Sequence, residues 1–102
     1  MARVVVSSNA DADTDSIFAY LTTSTGGSVA AKYISLFESL YERLADHPAS
    51  GPRRAALGPD IRIGIVSPYI VIYRLSGSDD TVTVLRVVHG RRDIARKLLA
   101  AP

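Results

Sequence analysis

Three strand-like runs follow one another almost without interruption in the second half of this chain: "IRIGIV" (61–66), "YIVIYRL" (69–75) and "TVTVLRVVH" (81–89). All three are rich in β-branched and aromatic residues, which suit a pleated, half-buried surface. Ser67-Pro68 alone separates the first two, and "SGSDD" separates the second from the third. Links this short make hairpins. They exclude parallel crossovers, which need a dozen residues or more. The runs therefore predict an antiparallel meander. The middle run is apolar almost throughout, as expected of a central strand covered on both faces. In the third run, strict alternation puts Val82, Val84, Arg86 and Val88 on one face. Thr81, Thr83, Leu85, Val87 and His89 fall on the other.

The first half has a different period. "RVVVS" predicts a short strand from Arg3 to Ser7. "NADADTDS" then supplies N-cap residues and first-turn acids, which favour a helix start through its dipole. Ile17, Phe18, Tyr20 and Leu21 fall at helical spacing, giving a first helix over Ala12 to Thr23. "STGGS" ends it. A second helix is expected from Ser28 to Asp46, where Val29, Tyr33, Leu36, Phe37, Leu40, Tyr41 and Leu44 recur at three and four. His47-Pro48 closes it, because the residue before Pro avoids the α region. The two helices read as an antiparallel hairpin with one apolar face in need of a partner. "PASGPRRAALGPD" is a loop, and Asp93 to Ala100 allows a short closing helix.

The resulting order is strand, helix, helix, strand, strand, strand, a single α+β domain over residues 1–102. Its simplest assembly packs the helical hairpin on one face of the meander and leaves the other face partly uncovered. Cysteine is absent, which removes thiolate chemistry, disulfides and Cys-based zinc sites. No cluster of His, Asp and Glu has metal-ligand spacing, and no cofactor is implied. No apolar run approaches the roughly 18 residues of a membrane span, and "MARVVVS" lacks the pattern of a signal peptide. A soluble cytoplasmic protein without membrane contact is the expectation. Charge is uneven: residues 1–47 carry a net −3 and residues 48–102 a net +5, with ten of the twelve basic residues Arg. Arginine suits bidentate contacts to carboxylates and phosphates.

"LGPDIR" (57–62), "YIVIYR" (69–74) and "VLRVVHGRRD" (84–93), after "AAKYISLFESLYERLADHPASG" (30–51), resemble the ParE branch of the RelE/ParE toxin superfamily. The resemblance covers nearly the whole chain. It implies a toxin of a type II toxin–antitoxin system, of the kind linked to plasmid stabilisation, neutralised in a hetero-oligomer with a ParD-like antitoxin. It implies inhibition of DNA gyrase by direct binding rather than by catalysis. RelE-type relatives instead cut messenger RNA on the ribosome, and a degenerate homologue would keep antitoxin binding without toxicity.

Ribonucleolytic relatives resemble each other in basic groups spread over the later strands, plus a Tyr or His late in the chain. Such groups activate a ribose hydroxyl, offset phosphate charge and protonate the leaving oxygen. Here Arg62 and Arg91 match basic positions. Gly64 and Ile70 stand where RelE proper has basic side chains, and no Tyr follows Tyr73. The depleted set favours binding over cleavage, and no catalytic residue is assigned. His89 then reads as a strand-end structural or antitoxin-contact residue. Arg62, Arg74, Arg86, His89, Arg91 and Arg92 are the candidates for target or antitoxin binding. The arginines would form either one positive surface or a set of charges paired locally with Asp60, Asp79, Asp80 and Asp93. The stripe Tyr33, Phe37 and Tyr41 is core, and is also the candidate antitoxin groove by a helix-in-groove mode. With only Tyr69 and Tyr73 on the strands, no base-stacking platform is expected, nor sequence-specific nucleic-acid binding by the toxin alone.

Overall fold

The computed structural model describes residues 1–78, 80–91 and 99. The elements are β1 (Arg3–Val6), α1 (Ser8–Thr25), α2 (Gly27–Asp46), a 3-10 turn (Ala55–Leu57), β2 (Ile61–Val66), β3 (Tyr69–Ser76) and β4 (Thr81–His89). The α+β order expected from the sequence is the observed one, and β2 and β4 have the expected bounds. The expected closing helix over Asp93 to Ala100 lies outside the described residues, Leu99 excepted.

The bounds of the first helix, and the end of the strand before it, are corrected. The first helix begins at Ser8, not Ala12, and runs to Thr25. Ser7, assigned to the strand by its sequence, is instead the N-cap, and its hydroxyl accepts from the Ala10 amide at 3.1 Å. The same hydroxyl donates to the Leu85 carbonyl at 3.0 Å, tying the helix start to β4. "SSNADADTD" offers several capping side chains in a row, and which one caps is set by tertiary contact, not propensity. Gly26 separates the two helices at φ +100°, a backbone region that favours glycine, so the hairpin turns within one residue.

The sheet order is β1-β4-β3-β2. β2, β3 and β4 form the antiparallel meander, while β1 joins the far side of β4 in parallel, Arg3 opposite Thr81 and Val6 opposite Val84. The helical hairpin thus carries the chain from β1 at one edge of the sheet to β2 at the other. Central β3 is buried on both faces, with Val71, Ile72 and Tyr73 fully buried in succession. On one face Val71, Tyr73, Val82, Val84 and Val87 pack beneath Phe37, Leu40 and Leu44 of α2. On the other, Ile61, Ile63, Ile72 and Val88 form a smaller cluster with Leu57.

Val87 and Val88 reverse the expected alternation. The β3–β4 register shifts at Ile72/Tyr73: Tyr73 faces Val84, but Ile72 faces Arg86. The extra residue in β4 is a bulge, which moves every later side chain to the opposite face. Val87 therefore joins Val84 beneath the helices, and Val88 joins the second cluster.

Candidate functional site

The bulge positions Arg86. β1 covers the outer edge of β4 only as far as Val84, where the Ser7 amide bonds the Val84 carbonyl at 2.9 Å. Beyond it, α1 takes over. The Asp13 carboxylate accepts Arg86 Nε at 2.7 Å, Arg86 Nη2 at 3.0 Å and the Val87 amide at 2.9 Å. One carboxylate thus closes a bidentate ion pair and satisfies an edge-strand N–H that would otherwise lack a protein acceptor. The hydrogen bond to Asp13 holds the Arg86 guanidinium above its ordinary range. Arg86 thus has a partner 73 residues away in sequence. It is a fastening between α1 and β4.

Arg62 is also engaged. Its Nη1 donates to the carbonyls of Ala49 at 3.1 Å and Gly51 at 2.8 Å. The fully buried Tyr73 works on the same loop: its hydroxyl donates to Pro48 O at 3.0 Å and accepts from the Gly51 amide at 3.0 Å. The Ile63 amide bonds Pro52 O, and the Arg54 amide bonds Ile61 O. The Gly51 amide is therefore occupied, and "SGPRR" is a strap along the first half of β2.

The arginines do not gather on one side. Arg62 faces Tyr73 across β2–β3, on the helical side. Arg74 faces Ile61, on the opposite side, and is exposed. Arg91 is exposed just past β4. Arg92 lies outside the described residues. Arg62 and Arg74 therefore stand on opposite faces, because successive positions along paired strands alternate sides.

His89 ends β4 beside the start of β3. It faces Tyr69 in the ladder, and the rings meet edge-to-face with centroids 5.8 Å apart. The Arg91 amide donates to His89 Nδ1 at 3.1 Å. That bond leaves Nε2 to carry the proton of the neutral ring. Tyr33 of α2 stacks edge-on against Tyr69 at 5.7 Å, and Phe37 lies 6.0 Å from it. Tyr69 therefore joins the core to an open groove of about 470 Å³ whose lining includes Tyr20, Tyr33, Pro68 and His89. Tyr20 is 65% exposed there. Burial, then the neighbouring Tyr33 and Tyr20, push the Tyr69 phenol up, so it is not poised to take a proton near neutrality. The Tyr33–Phe37–Tyr41 stripe divides: Phe37 is buried core, Tyr33 lines this groove, and Tyr41 lines another on the far side of α2.

A family model described as the ParE toxin of the type II toxin–antitoxin system parDE matches residues 4–94. The chain belongs to the ParE toxin family. Toxin ParE3 of Caulobacter vibrioides is 35% identical over 98 residues, covering 96% of each chain. Among solved structures, a chain of the chromosomal ParDE system from P. aeruginosa superposes with a TM-score of 0.72 at 21% identity, over 87% of this chain and 96% of that one. A chain of the RelBE2 toxin–antitoxin complex from Mycobacterium tuberculosis gives 0.61 at 21% identity, over 86% and 90%. Toxins of the ParE family are non-catalytic inhibitors, and this member is not an enzyme.

The two positions at which this ParE-family chain departs from the RelE pattern now have a structural reading. Gly64 pairs with Val71 on the helical side, directly beneath α2. A Cβ there would sit 3.0 Å from Leu40 Cδ1, so a long basic side chain fits only if Leu40 moves. Ile70 packs into the second cluster on the opposite face. Sequence reasoning missed Asp13, read only as a first-turn acid, and Tyr69, which had been noted only as a strand aromatic. Among the described residues no group of His, Asp and Glu could hold a metal ion, and no helix is long and apolar enough to cross a membrane.

Proposed function

We propose that this chain is a toxin that inhibits DNA gyrase by direct binding and is held inactive by a ParD-like antitoxin. The observation that carries this reading is the engagement of its polar groups. Arg62 is bonded to loop carbonyls, Arg86 to Asp13, and His89 Nδ1 to the Arg91 amide. No acid, base and phosphate-neutralising cation converge on one point among them. Acid–base cleavage of RNA requires that convergence. Inhibition by binding requires only a complementary surface. Exposed Arg74 and Arg91 remain for contact with an acidic partner or a DNA backbone. The ParD partner in the P. aeruginosa system supports an antitoxin of that type here.

Induced alone in bacteria, the chain is expected to arrest growth with DNA-break signalling, and co-expression of a ParD-like antitoxin restores growth. His89→Ala leaves the toxic dose within a few-fold of wild type, since the ring's contacts lie at a strand end. Abolished toxicity in that variant, with folding and antitoxin affinity intact, would show a chemical role for the imidazole and favour ribonuclease action.

A further inference from the structure

The Tyr41 hydroxyl is buried, and no protein group among the described residues bonds it. Buried hydroxyls in folded proteins nearly always have a partner in protein or ordered water, so this one has hydrogen-bonding capacity that no protein group among the described residues uses. Tyr41 lines a groove between α1 and α2 whose apolar wall includes Val6, Phe18 and Ile34. Val6 and Ile34 are each 38% exposed, more than apolar residues beside a core usually are. Two exposed carboxylates, Asp11 and Glu38, flank the same groove. Burial, then the charge of Asp11, push the Tyr41 phenol up to about 12, so it meets a ligand as a neutral hydroxyl.

The neighbouring strand adds a second, independent feature. β1 is a sheet edge. The Arg3 amide bonds Asp80 O and the Ser7 amide bonds Val84 O, so alternate backbone groups, those of Val4 and Val6, point away from β4. An open row of backbone donors and acceptors is what an extended polypeptide pairs with. Apolar wall, paired carboxylates and strand edge together select a peptide segment over a small anion or a nucleic acid, which the negative charge repels.

We propose that this groove receives a segment of the antitoxin in which apolar residues cover Val6 and Ile34 and a Lys or Arg enters between Asp11 and Glu38, within reach of the Tyr41 hydroxyl. The proposal rests on the antitoxin reading above. A basic side chain here is complementary to the net −3 of residues 1–47.

The test is the dissociation constant of the full chain with a ParD-like antitoxin that restores growth when co-expressed with it. Wild type is compared with Asp11→Asn/Glu38→Gln and with a charge-matched control, Asp15→Asn/Glu42→Gln, which alters exposed acids outside the groove. The groove variant is expected to bind about tenfold or more weakly, with the loss largest at low salt, and the control to stay within about twofold. All are surface changes, and circular dichroism checks that each folds. An unchanged constant in the groove variant, or an equal loss in the control, would overturn the proposal while leaving the antitoxin reading intact. No binding by the wild-type chain would overturn both.

Discussion

Asp13→Ala is expected to destabilise the fold by about 2–4 kcal/mol, lowering the thermal midpoint by roughly 10–20 °C. The size follows from how much one carboxylate holds. Its loss leaves the Arg86 guanidinium without its bidentate partner and the Val87 amide without an acceptor. The side chains are only 18% and 16% exposed, so water replaces the lost bonds poorly. Removing both groups in Asp13→Ala/Arg86→Met should cost less than the sum of the single changes, because the two share one interaction that each single change already removes. Thermal denaturation of the four proteins followed by circular dichroism measures this. A shift of a few degrees or less for Asp13→Ala would mean that Asp13 is not what fastens α1 to β4.

Gly51→Ala should be about as damaging, roughly 3 kcal/mol, from overpacking. A Cβ at 51 would overlap the Ile63 carbonyl oxygen and lie 2.5 Å from the Tyr73 hydroxyl. Neither neighbour can easily yield. Ile63 is in the ladder with β3, and Tyr73 is fully buried. Tyr73→Phe, which removes the two loop bonds without steric conflict, should cost less, about 1–2 kcal/mol. Denaturant unfolding at equilibrium ranks the two. If Gly51→Ala proved milder than Tyr73→Phe, the loop would be more pliable than its bonding implies.

These two positions also mark the limit of what the chain discloses by pattern. The meander was legible because each hairpin link is too short for anything else. Helix α2 was legible because its apolar stripe is unbroken. Family membership was legible in "VLRVVHGRRD" and its companions. The bulge at Arg86 was not, because one extra residue in β4 leaves the local composition unchanged while reversing the faces of Val87 and Val88. The parallel pairing of β1 with β4 was not legible either, since four residues of Arg and Val fit any edge. Asp13 sits among three acids at alternate positions, and only tertiary geometry singles it out. For the candidate site, the sequence showed a basic set depleted relative to a nuclease pattern, at Gly64 and Ile70. It grouped the arginines by chemistry, however, and strand parity places Arg62 and Arg74 on opposite faces.

The groove beside Tyr41 illustrates a different loss. The i, i+4, i+8 stripe identified Tyr33, Phe37 and Tyr41 as one surface, and a single helix viewed alone would present it so. Packing buries Phe37 between the other two, which leaves Tyr33 and Tyr41 on separate sides with different neighbours: Tyr69 and His89 for one, Asp11 and Glu38 for the other.

The central claim is that the chain acts by binding a topoisomerase and not by cutting RNA. The direct measurement adds purified chain to DNA gyrase with supercoiled plasmid and, in parallel, to ribosomes translating a defined message. Inhibition or accumulation of broken plasmid DNA with the message intact is the predicted result. Cleaved message with gyrase unaffected would contradict it.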